Sequence, residues 1–317
     1  MERSKSLFKI FMPITLGLTV IGLIFGALSL ILTYSQDTGN IKLGSAFSIL
    51  FIVFTSLALV APIVLSILAK DTNIITRTPK TSLLFKIASG IVIGALVALF
   101  VFDCIVLVKE LNLANEHYNN LVDQGKLASD AWSEGFNRHF EFWRVARMVL
   151  SIPFIAHLVF GFLPSKIRLP MPLKTVCHSL SILWCTATPI IIYFFKGSPP
   201  TTEYFRVVYS MAFIMLTLFL LYDFKWLYLE TSFRVYSAVT IIATSFSLIA
   251  SISTIIAMII RSDSLIITDA SKYQSIFDIH CINIFEIFVV LALGILALSR
   301  VLLILKTVKI VANKKEN

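Results

Sequence analysis

Eight largely apolar stretches dominate this chain, at 10–33, 46–69, 84–108, 145–163, 175–195, 207–229, 236–260 and 282–305. Each approaches or exceeds the roughly 20 residues that carry a helix across a hydrocarbon core of about 30 Å. Inside that core no water bonds to the backbone, so each segment must satisfy its own N–H and C=O groups, as an α-helix does. The expected fold class is therefore an all-α integral membrane protein with eight transmembrane helices. Composition agrees: 14% of the 317 residues are charged and the mean hydropathy is +0.88, where a soluble domain carries about 25% charged residues. The first run follows Met1 to Lys9 without an Ala-x-Ala-like exit. It is too long for a signal-peptide core and is expected to be a retained span.

Basic residues set the expected orientation. With the N-terminus inside, the inner segments hold Lys70, Arg77, Lys80 and Lys86, then Lys166, Arg168 and Lys174, then Lys225 and Arg234, then Lys306 and Lys309. The outer loops are poorer in base, except the long one at 109–143, where six acids offset it. Lys and Arg favour the cytoplasmic side, so both termini are expected there. The net charge of +9 then reads as complementing anionic lipid headgroups, and no nucleic-acid partner is expected.

The layout repeats at about half the chain length. Thr81-Ser82 opens the third run and Thr231-Ser232 the seventh, while Phe136-x-x-His139 and Phe277-x-x-His280 precede the fourth and eighth. Between the halves lies a basic stretch with Pro164, Pro170 and Pro172, a poor helix former because proline lacks the backbone donor. The expected division is a four-helix unit at 1–163, a cytoplasmic linker at 164–174, and a second unit at 175–317. Four spans per unit make the two repeats parallel.

Ionisable groups at membrane depth are functional candidates, because an unpaired charge there is costly. Asp103 and Arg147 fall at similar depths on the third and fourth spans and are expected to form an ion pair. Glu286 has no obvious basic neighbour in sequence; in protonated form it is expected to bond to Ser251 or Thr254. Those two end a hydroxyl seam, Thr240, Thr244, Ser247, Ser251 and Thr254, spaced 4-3-4-3 on one helix face and suited to close packing. Gly22 and Gly26, and Gly90 and Gly94 followed by Ala98, are further small-residue rows expected to let helices approach. His157 and His178 read as separate, hydrogen-bonded structural residues rather than metal ligands. The long outer loop carries Trp132, Phe136, Phe140 and Trp143 along one helical face, as an interfacial aromatic belt does; a partner-binding face is the other reading.

Cys104, Cys177, Cys185 and Cys281 show no metal-ligand or disulfide spacing, and no Asn-x-Ser/Thr sequon occurs. No phosphate-binding glycine loop, metalloprotease His-Glu-x-x-His or nucleophile-elbow motif occurs either. No catalysis, metal or cofactor is expected.

Each half has four spans, a larger outer loop before the last span, and an acid at membrane depth, Asp103 or Glu286. In that layout it resembles the MARVEL-type tetraspan unit of fungal membrane proteins. The resemblance implies membrane organisation or trafficking at the plasma membrane, or on an endomembrane, through contacts with lipids and with copies of itself or other proteins. A secondary transporter or proton-linked carrier using the intramembrane acids is the rival expectation.

Overall fold

The computed structural model describes residues 2–35, 40–68, 82–139, 142–163, 169–190, 204–229, 232–260, 278–279 and 282–313. The helices are α1 (Glu2–Thr33), α2 (Ala46–Leu68), α3 (Leu83–Asp123), α4 (Ala128–His139), α5 (Phe142–Phe160), α6 (Met171–Ile190), α7 (Tyr204–Tyr228), α8 (Phe233–Ile260) and α9 (Ile284–Asn313). Two short antiparallel hairpins accompany them, Tyr34–Ser35 with Asn40–Ile41 and Asp278–Ile279 with Ile282–Asn283. The chain is an all-α integral membrane protein: among the described residues, α1, α2, α3, α5, α7, α8 and α9 supply seven helices long and apolar enough to span a bilayer.

The fifth expected span, 175–195, is the exception. Its helix, α6, is diluted by Lys174, Thr175, His178, Ser179, Ser181, Thr186 and Thr188. Residues 191–195 lie outside the described set. α6 also begins earlier than the expected linker allows, at Met171. Pro172 is tolerated there because a first-turn N–H has no intrahelical acceptor to lose. Of the expected linker, residues 164–168 lie outside the described set.

The long outer loop also differs from expectation. α3 does not stop near residue 108 but continues for 41 residues, about 61 Å at a rise of about 1.5 Å per residue. Ser82 starts it by accepting a hydrogen bond from the Phe85 amide at 3.1 Å, and Gly125, at φ 85°, closes the turn after it in a conformation that only glycine adopts freely. α4 then folds back on α3 so closely that a Cβ on Gly135 would stand 2.9 Å from the Ala114 carbonyl oxygen. Trp132 packs edge-on against Tyr118, with centroids 5.8 Å apart. Of the expected aromatic stripe, Trp132 stands on α4 and Trp143 on α5, Phe136 lies in α4, and Phe140 lies outside the described residues.

Side-chain pairs fix how the helices run. Ser29 meets Ser48, so α1 and α2 are antiparallel, while Thr19–Ser245 and Gly26–Ser253 run α1 parallel to α8. Phe102 meets Phe285 at one end of α3 and Phe85 meets Arg300 at the other, so α3 and α9 are antiparallel. α6 sits antiparallel between α5 and α7 through Ser151–Trp184 and His178–Phe224. The start of α1 and the end of α9 consequently share one face of the bundle, called inner below. The largest interfaces pair α1 with α2 and α8 with α9, and further interfaces join the halves of the sequence: α1 and α2 pack on α8, and α3 packs on α9. The core follows, drawing Leu30, Leu96, Phe154, Trp184, Phe213 and Leu293 into one cluster.

Candidate functional site: two buried charge clusters

The outer cluster is built from one face of α5. Its buried residues are Arg144, Arg147, Ser151, Phe154 and Leu158, a helical repeat of three and four that points both arginines the same way. Arg147 is 2% exposed. Its Nε donates to Asp103 Oδ2 at 2.9 Å and its Nη2 to Asp103 Oδ1 at 2.5 Å, while Nη1 donates to Glu286 Oε1. The planar guanidinium fork suits two carboxylates held at fixed angles better than a lysine point charge. Arg144 adds a 3.3 Å contact to Asp103 and a 3.0 Å hydrogen bond to Glu110 on the outward extension of α3.

The position of Glu286 is set by its own helix terminus. The Asn283 side chain accepts from the Glu286 amide at 2.8 Å, and Glu286 Oε2 accepts from the Asn283 amide at 3.1 Å. This reciprocal capping box satisfies two orphan donors at the start of α9 and leaves Oε1 aimed at Arg147. The sequence expectation at Glu286 is thus corrected: its basic neighbour is Arg147, supplied from α5. Ser251 and Thr254 instead donate to the Ser247 and Ala250 carbonyls of their own helix, at 2.6 and 2.8 Å. The signal for the cap, Asn283-x-x-Glu286, was present in the sequence.

The rest of the seam is a packing surface. Thr240 and Thr244 back-bond to Tyr236 and Thr240, and Ser247 faces Gly294, where an added Cβ would stand 3.0 Å from the Ser247 Cβ. The glycine rows divide. A Cβ on Gly22 would approach Ile249 at 3.1 Å, and one on Gly26 would meet Ser253 Oγ at 2.7 Å and Phe51 at 3.0 Å. On α3, by contrast, Gly94 has nothing within 4 Å and Gly90 has only Phe162, at 3.8 Å. Among the described residues, the expected close helix approach is therefore not made at Gly94, and Gly90 meets only the tip of Phe162.

A second cluster, at the inner face, was not foreseen. Asp223 of α7 and Arg300 of α9 are each 4% exposed. Arg300 Nη2 donates to Asp223 Oδ2 at 3.1 Å, and the Tyr236 hydroxyl donates to Asp223 Oδ1 at 2.8 Å. The guanidinium lies 4.0 Å over the Phe85 ring, a cation–π contact that adds to the pairing. Next to it His157 and His178 stack at 4.0 Å, so the histidines read as separate in the sequence are one pair. The available signal was a lone acid in the run 207–229 and a lone arginine in the run 282–305, both near their inner ends.

Glu286 and Arg300 are fourteen residues apart on α9, about 21 Å along its axis. α9 is therefore pinned near both faces, to α3 and α5 at one end and to α7 and α8 at the other. Among the described residues no group of three or more His, Cys, Asp or Glu is arranged to hold a metal ion. No protein-family model, no curated protein and no solved structure matches this chain.

Proposed function

We propose that the protein is a non-catalytic organiser of membrane structure or trafficking that acts through helix and lipid contacts. The observation that carries this reading is the pairing of its buried acids: Asp103 and Glu286 share Arg147, and Asp223 holds Arg300. Charges committed in this way hold helices together and are not displayed to a passing solute. What the bundle displays is apolar: the open Gly94 position and a shallow groove between α3 and α9 lined by Ala95, Ala98, Phe288, Ala292 and Ile295. Small residues on a lipid-facing helix favour close approach of a further helix, so lipids and a homo- or hetero-oligomeric partner are the proposed contacts.

Several finer points belong to the same proposal: residence in the plasma membrane, both termini in the cytoplasm, kinship with MARVEL-type units, and eight crossings in two repeats. The antiparallel seat of α6 between α5 and α7 favours the eighth crossing. The packing of α1 and α2 on α8 weighs against two self-contained bundles.

The rival reading is a proton-linked carrier. It draws on the buried hydroxyls of α8, which lie between the two charge clusters. Purified protein in liposomes, exposed to a solute panel with and without a proton gradient, separates the two. No flux above empty liposomes is expected; flux abolished by Glu286→Gln defeats the organiser reading.

A further inference from the structure

His178 is fully buried, and neither ring nitrogen has a hydrogen-bond partner; the Leu220 carbonyl lies near the ring without reaching hydrogen-bonding geometry. An imidazole carries a donor and an acceptor in any neutral form, and buried polar groups are nearly always satisfied. A phenylalanine would fill the space without that cost. His157 stacks on the same ring with planes 33° apart.

Every packed neighbour adds something to the pocket. α5 gives His157, α7 gives Asp223, Phe224 and Tyr228, and α9 gives Arg300. α8 gives Tyr236, which bonds to Asp223, and α6 itself carries the buried Cys177 one residue before His178. The charges of both Asp223 and Arg300 act on His178.

We propose that the His157–His178 pair is a proton-binding site that controls the Asp223–Arg300 latch between α7 and α9. In the closed geometry the pair is neutral, because burial denies an imidazolium its hydration and the second imidazole stacks on it, while the nearby Asp223 and Arg300 charges oppose each other. When the inner end of the bundle opens, water reaches the rings and one of them accepts a proton from it. Asp223 then has two cations to choose between, and its hold on Arg300 weakens. A second proton is opposed by the first across the stack, so the device takes up one. The sign follows: the open form binds the extra proton, so acid favours opening and the latch is closed at high pH. A histidine in water titrates near about 6.5, so protection begins to fall as the pH drops through that value and keeps falling below it while the closed pair stays neutral. The inference is independent of whether the protein carries a solute.

Hydrogen–deuterium exchange on the full chain in lipid nanodiscs tests it, read as protection factors so that the intrinsic pH dependence of exchange divides out. At the inner ends of α7 and α9 (220–228 and 297–303), protection should fall with acid by up to about tenfold per pH unit, the limit for one proton. Protection near Asp103 and Glu286 should stay level. Because either ring can take the proton, His157→Gln and His178→Gln combined should flatten the inner slope, and Asp223→Asn should leave the same segments poorly protected at every pH. A flat profile in the unsubstituted protein overturns the proposal, as does a slope that survives both histidine substitutions. Should the Gln pair fail to fold, the double variant His157→Phe with His178→Phe, which fills the space with two rings that take no proton, decides: its slope persists or it does not.

Discussion

Glu286 and Arg147 stand 139 residues apart in the chain and meet in a buried ion pair beneath the outer face of the bundle. Because Arg147 also holds both oxygens of Asp103, one guanidinium joins α3, α5 and α9. Two charges withdrawn from water repay the desolvation only when fully engaged, so the cluster tolerates loss of a member badly.

Replacing Arg147 with Met should therefore leave Glu286 uncompensated and Asp103 with only the 3.3 Å contact to Arg144, and cost about 3–5 kcal/mol. In a cycle of Asp103→Ala and Arg147→Ala the double mutant should be well short of additive, since the pair shares one interaction. Reversible unfolding in bicelles or mixed micelles reads both. Strict additivity would remove the pair from the argument.

The two glycine rows should respond in opposite ways to the same substitution. Gly26→Leu drives a side chain into Ser253 and Phe51 and should destabilise by about 1–3 kcal/mol or more, as overpacking does. Gly94→Leu meets open space and should leave monomer stability unchanged or raised, by up to about 1 kcal/mol from helix propensity. If Gly94 serves an oligomer, its substitution should also lower the assembled fraction in light scattering or crosslinking.

Asn283→Ala removes one arm of the capping box and should cost about 0.5–2 kcal/mol, with Asn283→Ser recovering much of it. Because the cap aims Glu286 at Arg147, Asn283→Ala should also weaken the coupling between those two in a double-mutant cycle. A coupling that does not move would separate the cap from the ion pair.

Gly135→Val places a methyl-bearing side chain against the Ala114 carbonyl, whose backbone cannot step aside. The hairpin of α3 and α4 should open, and limited proteolysis from the outer side should cut faster around Gly125. Thermal stability of the membrane bundle should change by less than about 0.5 kcal/mol, the range of substitutions away from the core.

Much of the fold was legible along the chain, because hydrocarbon or water as solvent is decided segment by segment. Polar content blurred the rest. Within Met171–Ile190 α6 carries hydroxyls and a lysine that set it apart from the seven strongly apolar helices, and the polar outer part of α3 concealed a helix that simply continues. Asp103 and Arg147 stood out as charges in apolar surroundings at matching depth. Asp223 and Arg300 obeyed the same rule, yet nothing local linked the run at 207–229 to the one at 282–305.

What the amino-acid sequence determined by itself is the set of membrane helices and the places where they carry charge, since both follow from composition over about 20 residues. Which arginine meets which acid, that two lone histidines form a stack, and that one glycine row is filled while another stays open were decided by the tertiary structure alone. These outcomes depend on how each helix is rotated and which neighbours it meets. Contacts such as Asp103–Arg147 and Arg147–Glu286 span 44 and 139 residues, distances over which no local periodicity carries information.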